Sequence, residues 1–278
     1  MSLDKKIATI ILNRNLPDVT DNLVEYIKKN DKYHLTDIFV VEAGSDNNNL
    51  SKYCSWHIKD KETLKNGLRY SRGMNCGLSK LWFEDKFSNY DFFFLLTNDT
   101  EIESSDHLEK MIEIMDKHNK LGLLSPCSRE WGEKQLLIDT NIKYFWYIHN
   151  TAYFIRRELI EKIAIFDENN YIYGLFDGSN FRGYGADSEL IGKAYVNNYA
   201  CGITSEVWAI ENNSYLINHS DLIKTDSYNQ NIDLWLSEGR QWMKAKYGFN
   251  NKWDINFYTK NLYDSFFSLN SSLNKYKI

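Results

Sequence analysis

Short, almost continuously apolar segments that alternate with amphipathic ones are the feature that most restricts the fold of this chain. The segments KIATIILN, DIFVVEAGS, DFFFLLT and LGLLSP each predict a strand buried on both faces, because a strand with one face in water alternates apolar and polar side chains. SWHIK predicts a further short strand. Helical patterns lie between these runs, so we expect an α/β fold with a mainly parallel central sheet flanked by helices.

Two of the intervening segments have apolar residues at helical spacing. PDVTDNLVEYIKKN predicts a helix with Pro17 in its first turn, and SSDHLEKMIEIMDKHN predicts a second helix. SRGMNCGLSKLWF predicts a helix that begins near a glycine. The apolar faces expected for the first two helices are formed by Val19, Leu23, Tyr26 and Ile27, and by Leu108, Met111, Ile112 and Met115.

The alternation weakens after about residue 127. KYFWYIHNTAYFIRRELIEKI predicts a strand followed by a helix. YIYGLFDGSNFRGYGADSEL contains four glycines and predicts a loop that bends or moves. The next helix is expected to carry Leu190, Ile191, Ala194 and Tyr195 on one face.

Polar residues follow the apolar run of DFFFLLTNDTEIE directly, as Thr97, Asn98 and Asp99. Open α/β sheets bind their ligands at the carboxyl ends of the strands. We therefore expect Asp99 to face a ligand cleft, although a turn or helix-cap carboxylate would fit the same pattern.

Composition excludes several classes of protein. The net charge of −5 provides no basic face for nucleic acid. Cys54, Cys76, Cys127 and Cys201 are scattered, without a C-x-x-C pair, so we expect reduced thiols in the cytoplasm rather than a zinc site. We also expect neither a signal peptide nor a membrane span, because the first strand follows MSLDKK directly and no apolar run approaches about 20 residues.

Motifs of other nucleotide-binding enzymes are absent from the sequence. It lacks the G-x-x-x-x-G-K-[ST] loop of P-loop kinases and an N-terminal G-x-G-x-x-G of dinucleotide enzymes. LNRNLPDV, which contains the turn after the first strand, has no glycine, which argues against a sugar-phosphate nucleotidyltransferase.

Six segments taken in order resemble the motifs of family 2 glycosyltransferases, especially the bacterial rhamnosyltransferase-like branch. They are TIILNRN, VVEAGSDN, NGLRYSRGMNCGL, FLLTNDTEI, AYFIRRELIEKIAIFDENNY and YGADSEL. The resemblance implies a GT-A type nucleotide-diphospho-sugar transferase fold. It implies one catalytic domain over 1–250, with a nucleotide-sugar-binding half (1–125), an acceptor-side half (126–250) and a C-terminal extension (251–278).

The same resemblance implies an activity. An inverting transferase of hexosyltransferase type would move a sugar from a UDP- or dTDP-linked donor to a hydroxyl of a glycan or lipid-linked acceptor. Mn²⁺ or Mg²⁺ would neutralise the leaving diphosphate. The expected setting is polysaccharide assembly in the cytoplasm, with peripheral association with the inner face of the membrane and no nucleic-acid partner.

Roles for single residues on the donor side follow from the matching motifs. Glu42 stands where the family usually has aspartate and would read the nucleobase, while Arg72 near a helix start would meet phosphate. Asp99 would bind the metal, with His219 as a second ligand. A solvated strand-end acid, a surface arginine and a structural histidine are the alternatives. The donor-binding residues implied are Asn13, Arg14, Glu42, Arg72, Thr97 and Asn98.

On the acceptor side, Asp187 matches the second acid of the family's Glu-Asp pair and would act as the general base. Ala186 replaces the first acid, and Glu189 would brace the site or the loop. Asp187 could instead be the N-cap of the following helix. The acceptor contacts implied are Asp177, Tyr184 and Trp131, whereas core packing is expected for Trp146.

A non-catalytic protein that binds nucleotide sugars or glycans through a degenerate site is the alternative function. This alternative stays open because Thr97 stands at an acidic or asparagine position of the family pattern and Ala186 replaces an acid.

Overall fold

The computed structural model describes residues 4–127, 132–168 and 171–278. The strands are β1 (Ile7–Asn13), β2 (Thr36–Ala43), β3 (Cys54–Ile58), β4 (Phe92–Thr97), β5 (Thr100–Ile102), β6 (Leu121–Cys127), β7 (Ile142–Tyr144), β8 (Ala152–Arg156) and β9 (Ala200–Glu211). The helices are α1 (Pro17–Asn30), α2 (Lys61–Asn66), α3 (Arg69–Phe83), α4 (His107–Lys117), α5 (Arg157–Ile163), α6 (Ala186–Val196), α7 (Ser214–Asn218), α8 (Ser220–Ile223), α9 (Tyr228–Tyr247) and α10 (Lys252–Leu269).

The strands form one sheet in the order β3-β2-β1-β4-β8-β6-β9-β5, with β7 paired to β9. Strands β1 to β4, β6 and β9 run in one direction, and β5, β7 and β8 run against them. The predicted α/β class with a mainly parallel sheet is confirmed. The sequence did not indicate that β8 inserts antiparallel between β4 and β6.

Helix α4 buries the four predicted side chains, because its apolar residues recur at helical spacing against the sheet. In α1 the buried face is rotated slightly from the prediction. Thr20 and Val24 are buried with Leu23 and Ile27, while Val19 and Tyr26 are only partly covered. The predicted apolar face of α6 is buried throughout.

Helix α3 lies directly against β1, and this contact places its N-terminus beside the strand ends. A Cβ atom at Gly73 would come within 2.4 Å of Leu12 Cδ1, so a larger residue there would force the Leu12 side chain to move. Asn75, two residues further on, is buried and binds the loop of residues 171–185. Its Nδ2 donates to the carbonyl oxygens of Tyr171 (3.0 Å) and Phe176 (2.9 Å).

The C-terminal helix α10 packs on α6 and is part of the main core. Tyr263, Phe266 and Phe267 of α10 are at most 2% exposed and belong to the same apolar cluster as the sheet. Residues 251–278 therefore contribute to the packing of the whole molecule. In the part of the chain that the structure describes, no helix is both long and apolar enough to cross a membrane.

Candidate functional site

The carboxyl ends of β1, β2 and β4 are joined by one hydrogen-bond network centred on Asn13. Its Nδ2 donates to both carboxylate oxygens of Glu42, at 3.1 and 2.9 Å. Its Oδ1 accepts from Asn98 Nδ2 at 2.9 Å. Three of the residues predicted on the donor side are thus brought together at the sheet edge.

Glu42 has no exposed surface. Besides Asn13, its carboxylate accepts from Ser45 Oγ at 2.5 Å and from the backbone N–H of Ser51 at 2.8 Å. These bonds satisfy a buried carboxylate and hold the turn after β2. Glu42 has a structural task in this arrangement, and its contact with a nucleobase stays a prediction.

A cavity of about 170 Å³ opens at these strand ends. Polar side chains on its wall include Asn13, Arg14, Thr97, Asn98 and Asp99, while α7, α8 and the residues after them contribute Tyr215, Ile223 and Thr225. Arg14 also holds the end of α2, because its guanidinium donates to the carbonyl oxygens of Leu64 (3.3 Å) and Lys65 (3.1 Å). Burial lowers the pKa of Arg14.

The arginine of α3 that reaches this cavity is Arg69, which the sequence analysis did not select. Its Nη2 donates to Thr225 Oγ1 at 2.7 Å and to Asn231 Oδ1 at 2.9 Å. Burial, with a smaller contribution from the charge of Arg182, lowers the pKa of Arg69 to about 10, so it remains a cation at neutral pH. The segment NGLRYSR shows both Arg69 and Arg72 near the start of the helix, but the sequence does not indicate which of them reaches the cavity.

Arg72 instead connects α3 to the glycine-rich loop. Its Nε donates to the carbonyl oxygen of Gly178 at 2.8 Å, and its Nη1 pairs with Glu62 at 2.8 Å. The guanidinium lies 4.8 Å from the ring centroid of Phe181. It is not among the described residues that line the cavity, so its predicted phosphate contact stays a prediction.

Asp99 lies between the first cavity and an adjoining one of about 300 Å³, since it lines both. Its Oδ1 is buried and has no hydrogen-bond partner among the residues that the structure describes. Burial raises the pKa of Asp99. A buried carboxylate oxygen without a partner is costly, so this atom is a candidate contact for a ligand.

Glu211 is a second carboxylate near Asp99 that the sequence analysis missed. The antiparallel pairing of β5 with β9 sets Thr100 opposite Glu211, and the carbonyl oxygen of Asp99 accepts from the N–H of Asn212 at 2.9 Å. Burial, followed by the charge of Asp99, raises the pKa of Glu211 to about 7. Each of these two carboxylates therefore disfavours the negative charge on the other.

The oxygen atoms of the Asp99 carboxylate suit Mg²⁺ or Mn²⁺, which commonly take one or two carboxylates and complete their shell with phosphate and water. Glu211 is not among the described residues that line either Asp99 cavity. Within residues 4–127, 132–168 and 171–278, no group of three or more histidine, cysteine or acidic side chains surrounds a common point. His219 is exposed, lies against Tyr215 with ring centroids 6.5 Å apart, and does not join Asp99 in either cavity. Its ligand role stays a prediction.

Asp187 is the second residue of α6, and the residue at the N-cap is Gly185, so the alternative of an N-cap aspartate is wrong. The Asp187 carboxylate accepts from Lys252 Nζ at 3.0 Å, and both side chains are mostly buried. They line a cavity of about 160 Å³ together with Tyr147, His149 and Arg182. Burial, with a contribution from the Lys252 charge, lowers the pKa of His149 to about 3, so this imidazole is neutral.

Lys252 is enclosed by aromatic rings, with its Nζ 5.0 Å from the ring centroid of Tyr147 and 5.7 Å from that of Tyr184. Burial alone would lower the pKa of Lys252, but the charge of Asp187 and the neighbouring Tyr147 outweigh it and raise the pKa. Lys252 therefore carries its positive charge at neutral pH.

The Asp99 and Asp187 cavities are different cavities, and they lie beside the same N-terminal turn of α3. Arg69 lines the first, whereas Tyr70 and Ser71 line the second. The segment before β8 also connects them, because the carbonyl oxygen of Thr151 accepts from Thr100 Oγ1 at 3.1 Å. Asp99 and Asp187 therefore face two neighbouring cavities and not a single cleft.

Asp177 holds the glycine-rich loop to α9. Its carboxylate accepts from Trp242 Nε1 at 3.1 Å and pairs with Lys246, which also bonds Glu189 at 2.7 Å. Glu189 thus braces the loop, as the family resemblance implied, whereas the acceptor contact of Asp177 stays a prediction. Trp131 lies outside the described residues.

Tyr184 and Trp146 line a third cavity next to Asp187. Tyr184 also packs edge-to-face on Trp235, with ring centroids 4.4 Å apart. Trp146 packs on Tyr263 at 5.0 Å, in agreement with the core role expected for it.

Several solved structures share this architecture. TarS residues 1–349 from S. aureus in complex with UDP superposes with a TM-score of 0.53 at 15% identity, covering 86% of this chain and 72% of that one. The mannosyltransferase PcManGT from Pyrobaculum calidifontis, in complex with GDP-Man and Mn²⁺, gives a TM-score of 0.51 at 12% identity over 96% and 75% of the two chains.

The chain has the GT-A glycosyltransferase fold. The fold expected from the sequence motifs is thereby confirmed. A complex of TarS with UDP-GlcNAc matches at a TM-score of 0.51 and 13% identity, over 86% of this chain and 73% of that one. No protein-family model matches the sequence, and no curated protein matches it significantly.

Proposed function

We propose that this chain is a glycosyltransferase that moves a sugar from a nucleotide-diphosphate donor to an acceptor hydroxyl. The observation that carries the proposal is the partnerless, buried Oδ1 of Asp99 at the carboxyl end of β4 in a GT-A fold. Arg14 and Arg69 line the same cavity and supply positive charge for a diphosphate.

The donor half of the reaction uses the strand-end cavity. Thr97 and Asn98 offer hydrogen bonds to the nucleotide, and Arg69 lies where it can neutralise phosphate. Asp99 would hold a divalent cation, which when bound disperses the charge that collects on the leaving diphosphate. UDP- and dTDP-sugars are the donors proposed, with Mn²⁺ or Mg²⁺.

The acceptor half uses Asp187. The acceptor oxygen forms a bond to the anomeric carbon while the bond from that carbon to the diphosphate oxygen breaks, and the acceptor proton passes to the Asp187 carboxylate. Such a single displacement inverts the anomeric centre. Lys252 orients this carboxylate through its 3.0 Å ion pair. A hexose as the transferred sugar, a glycan or lipid-linked acceptor, and the rhamnosyltransferase-like branch belong to the same proposal.

The test is a panel of UDP-, dTDP- and GDP-sugars with Mn²⁺ or Mg²⁺, in which donor hydrolysis and transfer to added glycans are measured. Asp99→Ala should abolish donor turnover and also the thermal stabilisation of the free protein by Mn²⁺, a readout that needs no activity. Asp187→Asn should retain donor binding and lose about 10²- to 10⁴-fold in transfer, as expected when a general base is removed. Asp233→Asn, an exposed position on α9, is the control. Full transfer by Asp187→Asn would refute the assignment of the base.

The ion pair of Asp187 with Lys252 also fits the alternative of a non-catalytic binding protein, in which both residues serve only packing. In that case the wild type binds a nucleotide sugar yet transfers nothing to any acceptor, and Asp187→Asn changes stability alone. Single-turnover assays with the donor that binds most tightly separate the two functions.

A further inference from the structure

A groove walled mainly by aromatic rings extends from the Asp187 cavity over the first turns of α10. Its volume is about 480 Å³, within the range of about 300 to 1,000 Å³ that ligand pockets occupy. It is lined by Phe145, Trp146, Tyr147, Tyr184, Lys252, Trp253, Asn256, Phe257 and Lys260.

Two of these rings face solvent to an unusual extent. Trp253 is 72% exposed and Phe257 is 64% exposed. They are four residues apart in α10 and therefore lie on the same side of the helix. The core side of α10 is formed by other residues, such as Ile255 and Tyr263, so folding does not require these two rings.

The groove is continuous with the cavity of the proposed base. Tyr147 and Lys252 line both spaces. A ligand lying across Trp253 and Phe257 would therefore extend toward the Asp187 carboxylate.

We infer that this groove binds the part of a carbohydrate acceptor beyond its reacting sugar, as a chain of two or more sugar rings. The inference rests on the proposed function. The flat C–H faces of sugar rings pack on aromatic faces, and their hydroxyls bond to groups such as Asn256 and Lys260 at the edges. The acceptor hydroxyl then meets Asp187 while the rest of the chain lies along α10.

The charges around the groove favour a glycan over a membrane surface. Helices that lie on membranes carry many Lys and Arg residues on their polar face. In α10, Lys252 and Lys260 are balanced by Asp254 and Asp264, and Lys260 pairs with Asp264 at 2.5 Å. The net charge of −5 also opposes binding to anionic lipid.

The test uses fluorescently labelled protein on an array of immobilised mono-, di- and tetrasaccharides, with Trp253→Ala and Phe257→Ala beside the wild type. Tyr258→Ala is the matched control, because Tyr258 is 50% exposed on the same helix and does not line the groove. We expect the wild type to prefer oligosaccharides over their monosaccharides. Trp253→Ala should bind at least about tenfold more weakly, equivalent to about 1.4 kcal/mol. Tyr258→Ala should bind like the wild type.

The inference is wrong if the wild type binds no oligosaccharide, or if Trp253→Ala binds as the wild type does. It is also wrong if Trp253→Ala leaves glycan binding unchanged but abolishes sedimentation with phosphatidylglycerol vesicles, or converts a dimer to a monomer in size-exclusion chromatography. Measuring the binding of UDP-sugars with Mn²⁺ shows whether the proposed function or only the inference about the groove has failed. If the wild type does not bind UDP-sugars, the proposed function is wrong. If it binds them but its affinity for glycans does not depend on Trp253, only the inference about the groove is wrong. Unchanged thermal melting of the variants excludes misfolding.

Discussion

Asp177 fixes the glycine-rich loop that precedes the proposed base, and replacing it with asparagine should destabilise the protein by a calculable amount. Burial by itself raises the pKa of Asp177. Hydrogen bonds from Lys246, Ser179 and Trp242 more than reverse this effect, and the pKa falls from 3.8 to about 2. The side chain of Asp177 is only 10% exposed, whereas that of Lys246 is 37% exposed, so solvent screens the ion pair in part.

The magnitude follows from linkage between protonation and folding. A fall from 3.8 to about 2 corresponds to about 2 kcal/mol, at 1.36 kcal/mol per pKa unit. Because the folded pKa is the lower one, this stability is fully present above the unfolded value and is lost as the pH falls toward 2. The difference between wild type and Asp177→Asn should be constant from pH 7 to about pH 5 and about half as large by pH 3. For a chain of 278 residues, it should lower Tm by about 4 °C at pH 7.

Urea denaturation at pH 7, 5 and 3, followed by tryptophan fluorescence and circular dichroism, measures the difference directly. Asp233→Asn, which changes an exposed aspartate of α9, is the control and should show no comparable loss. Equal stability of Asp177→Asn and the wild type at pH 7 would refute the reasoning. A difference that grows as the pH falls would refute it as well, because the sign of the linkage would then be opposite.

Three further substitutions test other parts of the site. Arg69→Gln should weaken binding of UDP by about tenfold or more in calorimetry, because it removes a cation from the strand-end cavity, whereas Arg157→Gln, on the distant α5, should not. Gly44→Ala should destabilise the fold by about 2 kcal/mol or more in urea denaturation, since Gly44 has φ of +77° and a Cβ there would lie 2.2 Å from the Thr63 carbonyl oxygen. Lys252→Met should cost about 3 kcal/mol by the same measurement, because it leaves the Asp187 carboxylate mostly buried without its cation. A stability unchanged from the wild type would contradict either of the last two expectations, and unchanged UDP affinity would contradict the first.

Local sequence determined much of the framework. Unbroken apolar runs such as DFFFLLT can be buried only as inner strands, and the helical spacing of Leu108, Met111 and Met115 fixed the buried face of α4. The position of Asp99 just after β4 was also predictable, because the apolar run ends at Leu96, three residues before it. These features depend on residues that are close in sequence, and the periodicity of helices and strands also relates such residues.

Only the tertiary structure decided which distant groups meet. Arg69 and Arg72 look equivalent in sequence, yet the packing of α3 on β1 directs one into the cavity and the other to the loop. Lys252 meets Asp187 because α10 docks on α6, and Glu211 lies near Asp99 because β5 pairs with β9. In both cases the two residues are far apart in the chain. A charge or hydrogen bond acts through space over a few ångströms, and only the completed fold sets those distances.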